Sequence, residues 1–473
     1  MLAGWLLAAA LVSVRAYQQL PHVLDALSYS FQAGLLSSGR LWLDAPVPID
    51  AFRGPFEVLW QGRLFSQYPP GAPAAYALGR LANLDWLVGP LCGAVLIGAT
   101  AWTAAVLFDT WTGLVVLWLG ALSPFILFQA GSFLSHPVAG ALVAGALAVF
   151  VAAERSKRVA RYSFVGVCLG AAFLVREPAS LLFGLPLVAR LLKQRQWRGL
   201  QSMLLAGVPF LVVYLAYDAV VTGSPFQLPR TLFDPSDHFG FGDGIGFHHR
   251  HTLAAGLANT DELLTLLQFD LFGWPPLVGL GLLGLPFLLG RARSWDWVAG
   301  GGCLAFVAAY IGYFYHGIAL GPRYYYEAVP WLLLLAGRGA GMVCELAGTR
   351  LAVMAVLLAL SLHTLVFYLP AELERRIDFS GWPDGQRIRL GFVAPSPLGP
   401  RLTTVSSPTL VLTNDWWLFN AALSSLNCPR VPDCLVTFAL APTPADAERL
   451  QQLYPGRMLL HAVNHGGTVE LEP

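Results

Sequence analysis

Charge is what this sequence of 473 residues is short of: Asp, Glu, Lys and Arg make up 12% of it, while 56% is hydrophobic. A soluble domain carries about 25% charged residues, so the composition excludes an ordinary water-solvated globule, and the mean hydropathy of +0.59 agrees. An excess of either sign is also missing. With 29 basic and 28 acidic side chains the formal charge is +1, which leaves no whole-protein field for nucleic acid. Cysteine is sparse, and six residues do not make a disulfide scaffold in so long a chain. Cys92, Cys168, Cys303 and Cys344 lie in or beside apolar runs and read as small packing residues, whereas Cys428 and Cys434 flank a short Pro-containing loop and would pair if that segment faces an oxidising compartment. The first apolar run lacks a basic lead and a small-residue cleavage site. That predicts an uncleaved signal anchor, or a start site assigned too late, over a removable signal peptide. No internal repeat stands out.

What the sequence has is apolar length. About 20 apolar residues cross the hydrocarbon core as a helix, and runs near 1–16, 86–108, 111–128, 137–153, 162–175, 179–192, 201–221, 273–290, 297–316, 326–343 and 350–369 predict eleven spans. Those at 162–175 and 179–192 are short and read as full spans, a broken pair or incomplete dips. The 15 Trp, 15 Tyr and 28 Phe fit a membrane protein, because rings with a polar handle collect at the two interfaces. Lys and Arg cluster in alternate loops: Arg155, Lys157, Arg158 and Arg161; Lys193, Arg195 and Arg198; Arg291 and Arg293; Arg338 and Arg350. Positive charge stays on the cytoplasmic side, so the N-terminus is expected inside and every long connection outside. The expected fold class is an all-α polytopic membrane bundle over residues 1–370, with outer loops 17–85 and 222–272, followed by a small extracytoplasmic α/β domain over 371–473. Polar residues sit at the outer ends of spans, where surface chemistry fits better than a transport path through mid-membrane.

The outer segments hold the candidate chemistry. From Tyr17 to Leu41 an apolar face repeats at helical spacing while Asp25, Ser28 and Gln32 share another, which predicts an amphipathic helix along the interface. Asp25 then stands at the mouth of the bundle, either as a solvated or capping carboxylate or as a reactive one. Gln67-Tyr68-Pro69-Pro70-Gly71 is a rigid turn, from which the next helix can start at Pro73. His136 precedes a proline at the start of a span and reads as an interfacial hydrogen-bonded ring or a ligand. Arg176-Glu177 places two charges in apolar surroundings, to pair with each other or to face a polar ligand. His316, Arg323, Tyr324, Tyr325, Tyr326 and Glu327 crowd one mouth as a phosphate clamp or as a Tyr belt with a snorkelling Arg. Residues 234–251 carry Asp234, Asp237, His238, Asp243, His248, His249 and His251 among four glycines, in a spacing that matches no zinc pattern and reads as a flexible lid ahead of a metal site.

Taken in order, the Asp25 segment, Gln67-Tyr68-Pro69-Pro70-Gly71, Ser135-His136-Pro137, Arg176-Glu177-Pro178 with Leu185-Pro186, and Gly321-Pro322-Arg323-Tyr324 with Pro330 resemble the polytopic glycosyltransferases of superfamily C, in the protein-mannosyltransferase and aminoarabinose-transferase-like branch. The resemblance covers roughly residues 1–370. It implies an enzyme of the cell envelope (plasma or inner membrane) that moves a hexosyl or pentosyl group from a polyprenyl-phosphate donor to a glycan, lipid or protein acceptor on the extracytoplasmic face, usually with inversion. The acidic residue of the first outer loop is then the expected general base or acceptor-orienting group, which maps onto Asp25. Arg323 is the first choice and Arg176 the second for the cation on the leaving phosphate, with His136, Tyr68, Gln67 and Tyr324 as further donor-binding candidates. Two departures stand out. Asp25 is followed by Ala26, where many members have paired acids, and Gln67 and Tyr68 stand where a basic residue commonly precedes the proline turn. The need for a cofactor is left open by this reading, with a divalent metal shared by Asp25 and His136 as the candidate.

The tail offers strands at Thr409–Thr413, Cys434–Leu440 and Met458–Val463, alternating with helices near Trp416–Leu426 and Ala445–Leu453, which predicts a small parallel α/β unit. The alternative readings of the whole chain are a transporter or flippase of lipid-linked glycans and a non-catalytic membrane scaffold.

Overall fold

The computed structural model describes residues 1–17, 19–378, 407–428, 431–465 and 468–473. Helix follows helix to residue 378: α1 (Leu2–Leu11), α2 (Leu24–Ser37), α3 (Gly71–Leu81), α4 (Asp85–Leu107), α5 (Thr110–Ala121), α6 (Pro124–Gly131), α7 (Ser135–Ser156), α8 (Arg161–Val175), α9 (Glu177–Lys193), α10 (Trp197–Thr222), α11 (Pro229–Phe233), α12 (Leu253–Asp270), α13 (Val278–Leu288), α14 (Ser294–Ile311), α15 (Val329–Ala347), α16 (Arg350–His363) and α17 (Leu369–Asp378). Among the described residues five helical segments are long and apolar enough to cross a membrane, namely Asp85–Leu107, Ser135–Ser156, Trp197–Thr222, Arg323–Ala347 and Arg350–Arg375, which makes this an integral membrane protein. A sixth would be α5 with α6, bent by 56°.

The sequence count of eleven spans runs ahead of this. The expected span 111–128 is broken at Ser123-Pro124, where Ser123 accepts a hydrogen bond from Ile126 N and Pro124 opens a new helix. A serine cap followed by proline is a start signal, and hydropathy averages over it. The helical segments Leu2–Ala16, Arg161–Val175 and Val278–Leu288 are apolar but short. Residues expected as outer loop also fold further than their composition implied, since α12 occupies 18 residues of the 222–272 stretch.

Close packing in the bundle depends on glycine. A Cβ on Gly166 of α8 would lie 2.0 Å from Met203 O of α10, and one on Gly339 of α15 would lie 2.0 Å from Leu282 O of α13. Helices in lipid gain little from hydrophobic contact with one another and use small residues to bring backbones together. Trp331 and Phe183 stack at 4.5 Å in the core so formed.

Among the described residues three β features accompany these helices. β1 (Leu43–Asp44), β2 (Glu57–Trp60) and β3 (Arg63–Ser66) form an antiparallel sheet in the order β1-β3-β2. In the tail, β6 (Thr409–Thr413), β7 (Val436–Leu440), β8 (Met458–His465) and β9 (Thr468–Glu472) are ordered β7-β6-β8-β9, the first three parallel and β9 antiparallel, after a short hairpin of β4 (Gly242–Asp243) and β5 (Arg250–His251) between α11 and α12. The three expected tail strands are present. α18 (Pro444–Leu453) begins in a capping box of Thr443 and Asp446, and Cys428 and Cys434 are disulfide-bonded. Helix α2 does not lie bare along an interface: Leu27 packs with Val411, Leu418 and Phe438 of the tail, while Ala26, Tyr29 and Ala33 pack with Tyr76 and Phe133 of the bundle.

Gly166→Ala is expected to destabilise the protein in detergent by about 1–3 kcal/mol through overpacking, read as a lowered thermal unfolding midpoint. Gly281→Ala, where an added Cβ meets nothing within 4 Å, is the control and should leave the midpoint unchanged.

Candidate active site

A cavity of about 300 Å³ opens where the ends of α2, α8, α9, α10 and α14 meet the turn before α15. Asp25 reaches it from the first turn of α2. Arg323 and Tyr324 come from a tight 3-10 turn, Arg323–Ala328, and Gly317 at φ 69° allows the approach, since a Cβ there would be 2.2 Å from the Tyr324 ring. Arg176 is the extended residue between α8 and α9, and Gln67 and Tyr68 precede α3.

The centre is an ion pair between residues at opposite ends of the bundle sequence. Arg323 Nη1 donates to Asp25 Oδ2 at 2.9 Å, and the Tyr68 hydroxyl donates to Asp25 Oδ1 at 2.7 Å. Burial works against ionising Asp25, but the Arg323 charge and these two bonds outweigh it and hold the carboxyl below its ordinary value. Arg323 is buried, lies over the rings of Tyr324 at 5.6 Å and Tyr315 at 5.8 Å, and its Nε has no hydrogen-bond partner. Tyr324 stacks on Tyr310 at 4.5 Å with an interplanar angle of 8°. Gln67 lines the cavity with its Oε1 unpartnered.

Arg176 is anchored from behind. Its Nε lies 3.2 Å from Glu327 Oε1, as an ion pair outside hydrogen-bond geometry, and its other nitrogens reach Ser135 Oγ and the Tyr310 hydroxyl at 3.4 Å. The same Glu327 oxygen is 3.0 Å from His136 Nδ1. His136 therefore corrects an expectation. It is 1% exposed and does not line the cavity; its ring meets Glu327, and it bears on the site only through the carboxylate that anchors Arg176.

Six of the seven expected site residues, Asp25, Gln67, Tyr68, Arg176, Arg323 and Tyr324, line one cavity. No group of three or more His, Cys, Asp or Glu able to hold a metal occurs among the described residues. The histidines of the glycine-rich stretch are spread: His238, His248 and His249 are exposed, while His251 bonds Ile311 O at 3.1 Å. Sequence reasoning missed Glu327 as an anchor, Tyr29 and Tyr310 as walls, and the charged residues Asp218 and Arg230; Asp237, named only within the glycine-rich stretch, lines the same cavity. For Asp218 a signal existed, because a carboxylate inside an apolar run near its end is a site candidate by default.

No family model and no curated protein matches the chain. Solved structures do. ArnT from Cupriavidus metallidurans bound to undecaprenyl phosphate is similar over 98% of this chain and 92% of that one, with a TM-score of 0.52 at 15% identity. The archaeal oligosaccharyltransferase AglB from Archaeoglobus fulgidus, in complex with an inhibitory peptide and a dolichol-phosphate, is similar over 98% of this chain and 69% of that one, with a TM-score of 0.50 at 11% identity.

Two outcomes test the site. In a double-mutant cycle of Glu327→Gln with Arg176→Met, thermal stability should show a coupling of about 0.5–3 kcal/mol; additive effects would mean the contact carries no energy. A carboxyl held below its ordinary value adds stability that is complete above the unfolded value of about pH 4 and is lost as pH falls through the lowered folded value. The stability gap between wild type and Asp25→Asn should therefore persist at neutral pH and shrink only in strong acid.

The likeness is one of fold: over nearly its whole length the chain shares the fold of ArnT and of the oligosaccharyltransferase AglB.

Proposed function

We propose that this protein is an integral-membrane glycosyltransferase that moves a hexosyl or pentosyl group from a polyprenyl-phosphate donor to an acceptor hydroxyl on the extracytoplasmic face, with inversion. The observation that carries the reading is the gathering of Asp25, Tyr68, Arg176, Arg323 and Tyr324 around one cavity at the end of the bundle. The neighbours in complex with undecaprenyl phosphate and dolichol-phosphate support the choice of donor.

In the reaction the acceptor oxygen forms a bond to the anomeric carbon as the bond from that carbon to the phosphate oxygen breaks. The electron pair leaves with polyprenyl phosphate, and the acceptor proton goes to the Asp25 carboxylate. Arg323, buried and with an unpartnered Nε, is suited to the charge growing on the leaving phosphate, and Arg176 supports it. The bond from Arg323 to Asp25 lowers the basicity of the carboxylate. Asp25 thus orients the acceptor hydroxyl first and takes its proton late, once the bond to the sugar has largely formed.

The same reading puts the N-terminus in the cytoplasm and the unit 371–473 outside the membrane, after a domain of residues 1–370 whose eleven apolar runs all enter the bilayer. The bonded Cys428 and Cys434 support an oxidising compartment for the tail. The acceptor is a glycan, lipid or protein carrying the hydroxyl.

The test uses purified protein in detergent with a panel of polyprenyl-phosphate sugars and measures release of polyprenyl phosphate. Asp25→Asn, checked for retained folding, should lower turnover by about 10²–10⁴-fold. Unchanged turnover would remove Asp25 from the mechanism, and a wild type inert toward every donor would overturn the reading.

A further inference from the structure

Most charged groups around the cavity satisfy one another. Asp25 pairs with Arg323, Arg230 Nε lies 3.9 Å from Asp237 Oδ2, and the Tyr313 hydroxyl donates to Asp237 Oδ1 at 2.8 Å. Arg176 is anchored by Glu327, Glu177 accepts from the Tyr214 hydroxyl, and Asp234 Oδ1 accepts from Ser236 N at 2.8 Å. Asp218 is the carboxylate left over. It lines the cavity, is 2% exposed, has no basic partner among the described residues, and its Oδ2 makes no hydrogen bond. It stands one helical turn after Tyr214 on α10, so the two share a face. A buried carboxylate oxygen without a donor is strongly unfavourable, and native structures rarely leave one so. Aromatic rings line the same cavity, including Phe239 and Tyr313, whose centroids are 4.7 Å apart. Rings that cover apolar C–H faces, beside a carboxylate that accepts from polar substituents, are the surface a saccharide calls for.

Resting on the reaction proposed above, we propose that Asp218 is a specificity-determining residue whose free oxygen accepts a hydrogen bond from a hydroxyl or ammonium substituent of a sugar in the cavity. Two substrates can bring that sugar: the donor, as the group to be transferred, or a glycan acceptor. The phosphate-binding arginines and the Asp218 oxygen then divide the work. The arginines take what every polyprenyl-phosphate donor has in common, and Asp218 reads what distinguishes one sugar from another.

The experiment compares wild type, Asp218→Asn and Asp218→Ala by native mass spectrometry. The probes are bare undecaprenyl phosphate and undecaprenyl phosphates carrying neutral or amino pentoses and hexoses, alongside turnover with the donor and acceptor that the wild type uses. Loss of roughly 10- to 100-fold in affinity for the preferred sugar-bearing lipid in Asp218→Ala, with the bare lipid bound as before, supports the assignment on the donor side. Unchanged donor affinity with a raised acceptor KM supports it on the acceptor side. If the substituent is an ammonium, Asp218→Asn loses the preference for amino sugars as fully as Asp218→Ala; if it is a hydroxyl, the amide oxygen retains part of the binding. Donor affinity and both kinetic constants at wild-type values, with only a raised thermal midpoint, would overturn the assignment while leaving the glycosyltransferase reading intact. A wild type inert toward the whole panel would sink that reading, and this assignment with it.

Discussion

The bond between Arg323 and Asp25 is the constraint from which the rest of the site follows. A guanidinium buried to 4% exposure beside the bilayer is tolerable only with a counter-charge in good geometry, and among the described residues the carboxylate that reaches it comes from 298 residues earlier in the chain. To deliver Asp25, α2 must lie across the end of the bundle. To deliver Arg323, the chain must turn tightly before α15, which Gly317 and Gly321 permit at φ 69° and 102°. A second acid in the outer segments shows what Arg323 changes. Glu57, 3% exposed, is pushed up to about 8 by burial, against which a bond from Gly54 N and the nearby Arg53 prevail only in part. Burial thus raises one buried carboxyl, while the other is held low against the same burial. The difference lies in a well-placed guanidinium.

The tail unit takes part in the same constraint. Leu27 and Leu35 of α2 enter two apolar clusters that include Val411, Phe438, Leu410 and Leu412 of the tail sheet, and the Tyr454 hydroxyl donates to Val47 O at 3.0 Å. The helix bearing Asp25 is therefore a middle layer, held by the bundle on one side and by the sheet on the other. A helix packed on both sides cannot slide by a turn without disturbing one contact or the other. The position of the carboxylate is determined by residues nearly four hundred positions apart in sequence, such as Leu27 and Val411.

How much of this could be read beforehand depends on the physical range of each signal. Periodicity and turn residues act over a few positions, so the Asp25 helix and the three parallel tail strands were legible. Charge in short loops and apolar length act over about 20 residues, which made the membrane class plain but overran the break at Ser123-Pro124. Glu327 appeared in the sequence only as one of a crowd beside Arg323; its role as the anchor of Arg176 and His136 depends on three helices meeting, and no local pattern encodes that. His136 illustrates the converse, since proline after histidine at a helix start pointed to the mouth of the bundle, yet the ring turns to Glu327. The small sheet β1-β3-β2 was missed because its strands, of two to four residues, alternate too briefly to stand out from loop.

The aromatic walls explain why Arg323 is left with a donor to offer. Tyr324 lies under both guanidinium groups, 5.6 Å from that of Arg323 and 5.8 Å from that of Arg176, and Tyr315 flanks Arg323. A ring face attracts a cation through its quadrupole without accepting a directed hydrogen bond. It also excludes water, so the remaining N–H groups keep their strength toward an anion in a medium of low dielectric. Had these walls been Asn, Gln or Ser, their oxygens would have saturated the guanidinium donors, and an arriving phosphate would have had to displace them. With tyrosine rings, most of the desolvation is done during folding. That preorganisation is the physical argument behind the proposal that Arg323 and Arg176 take the anionic end of a substrate.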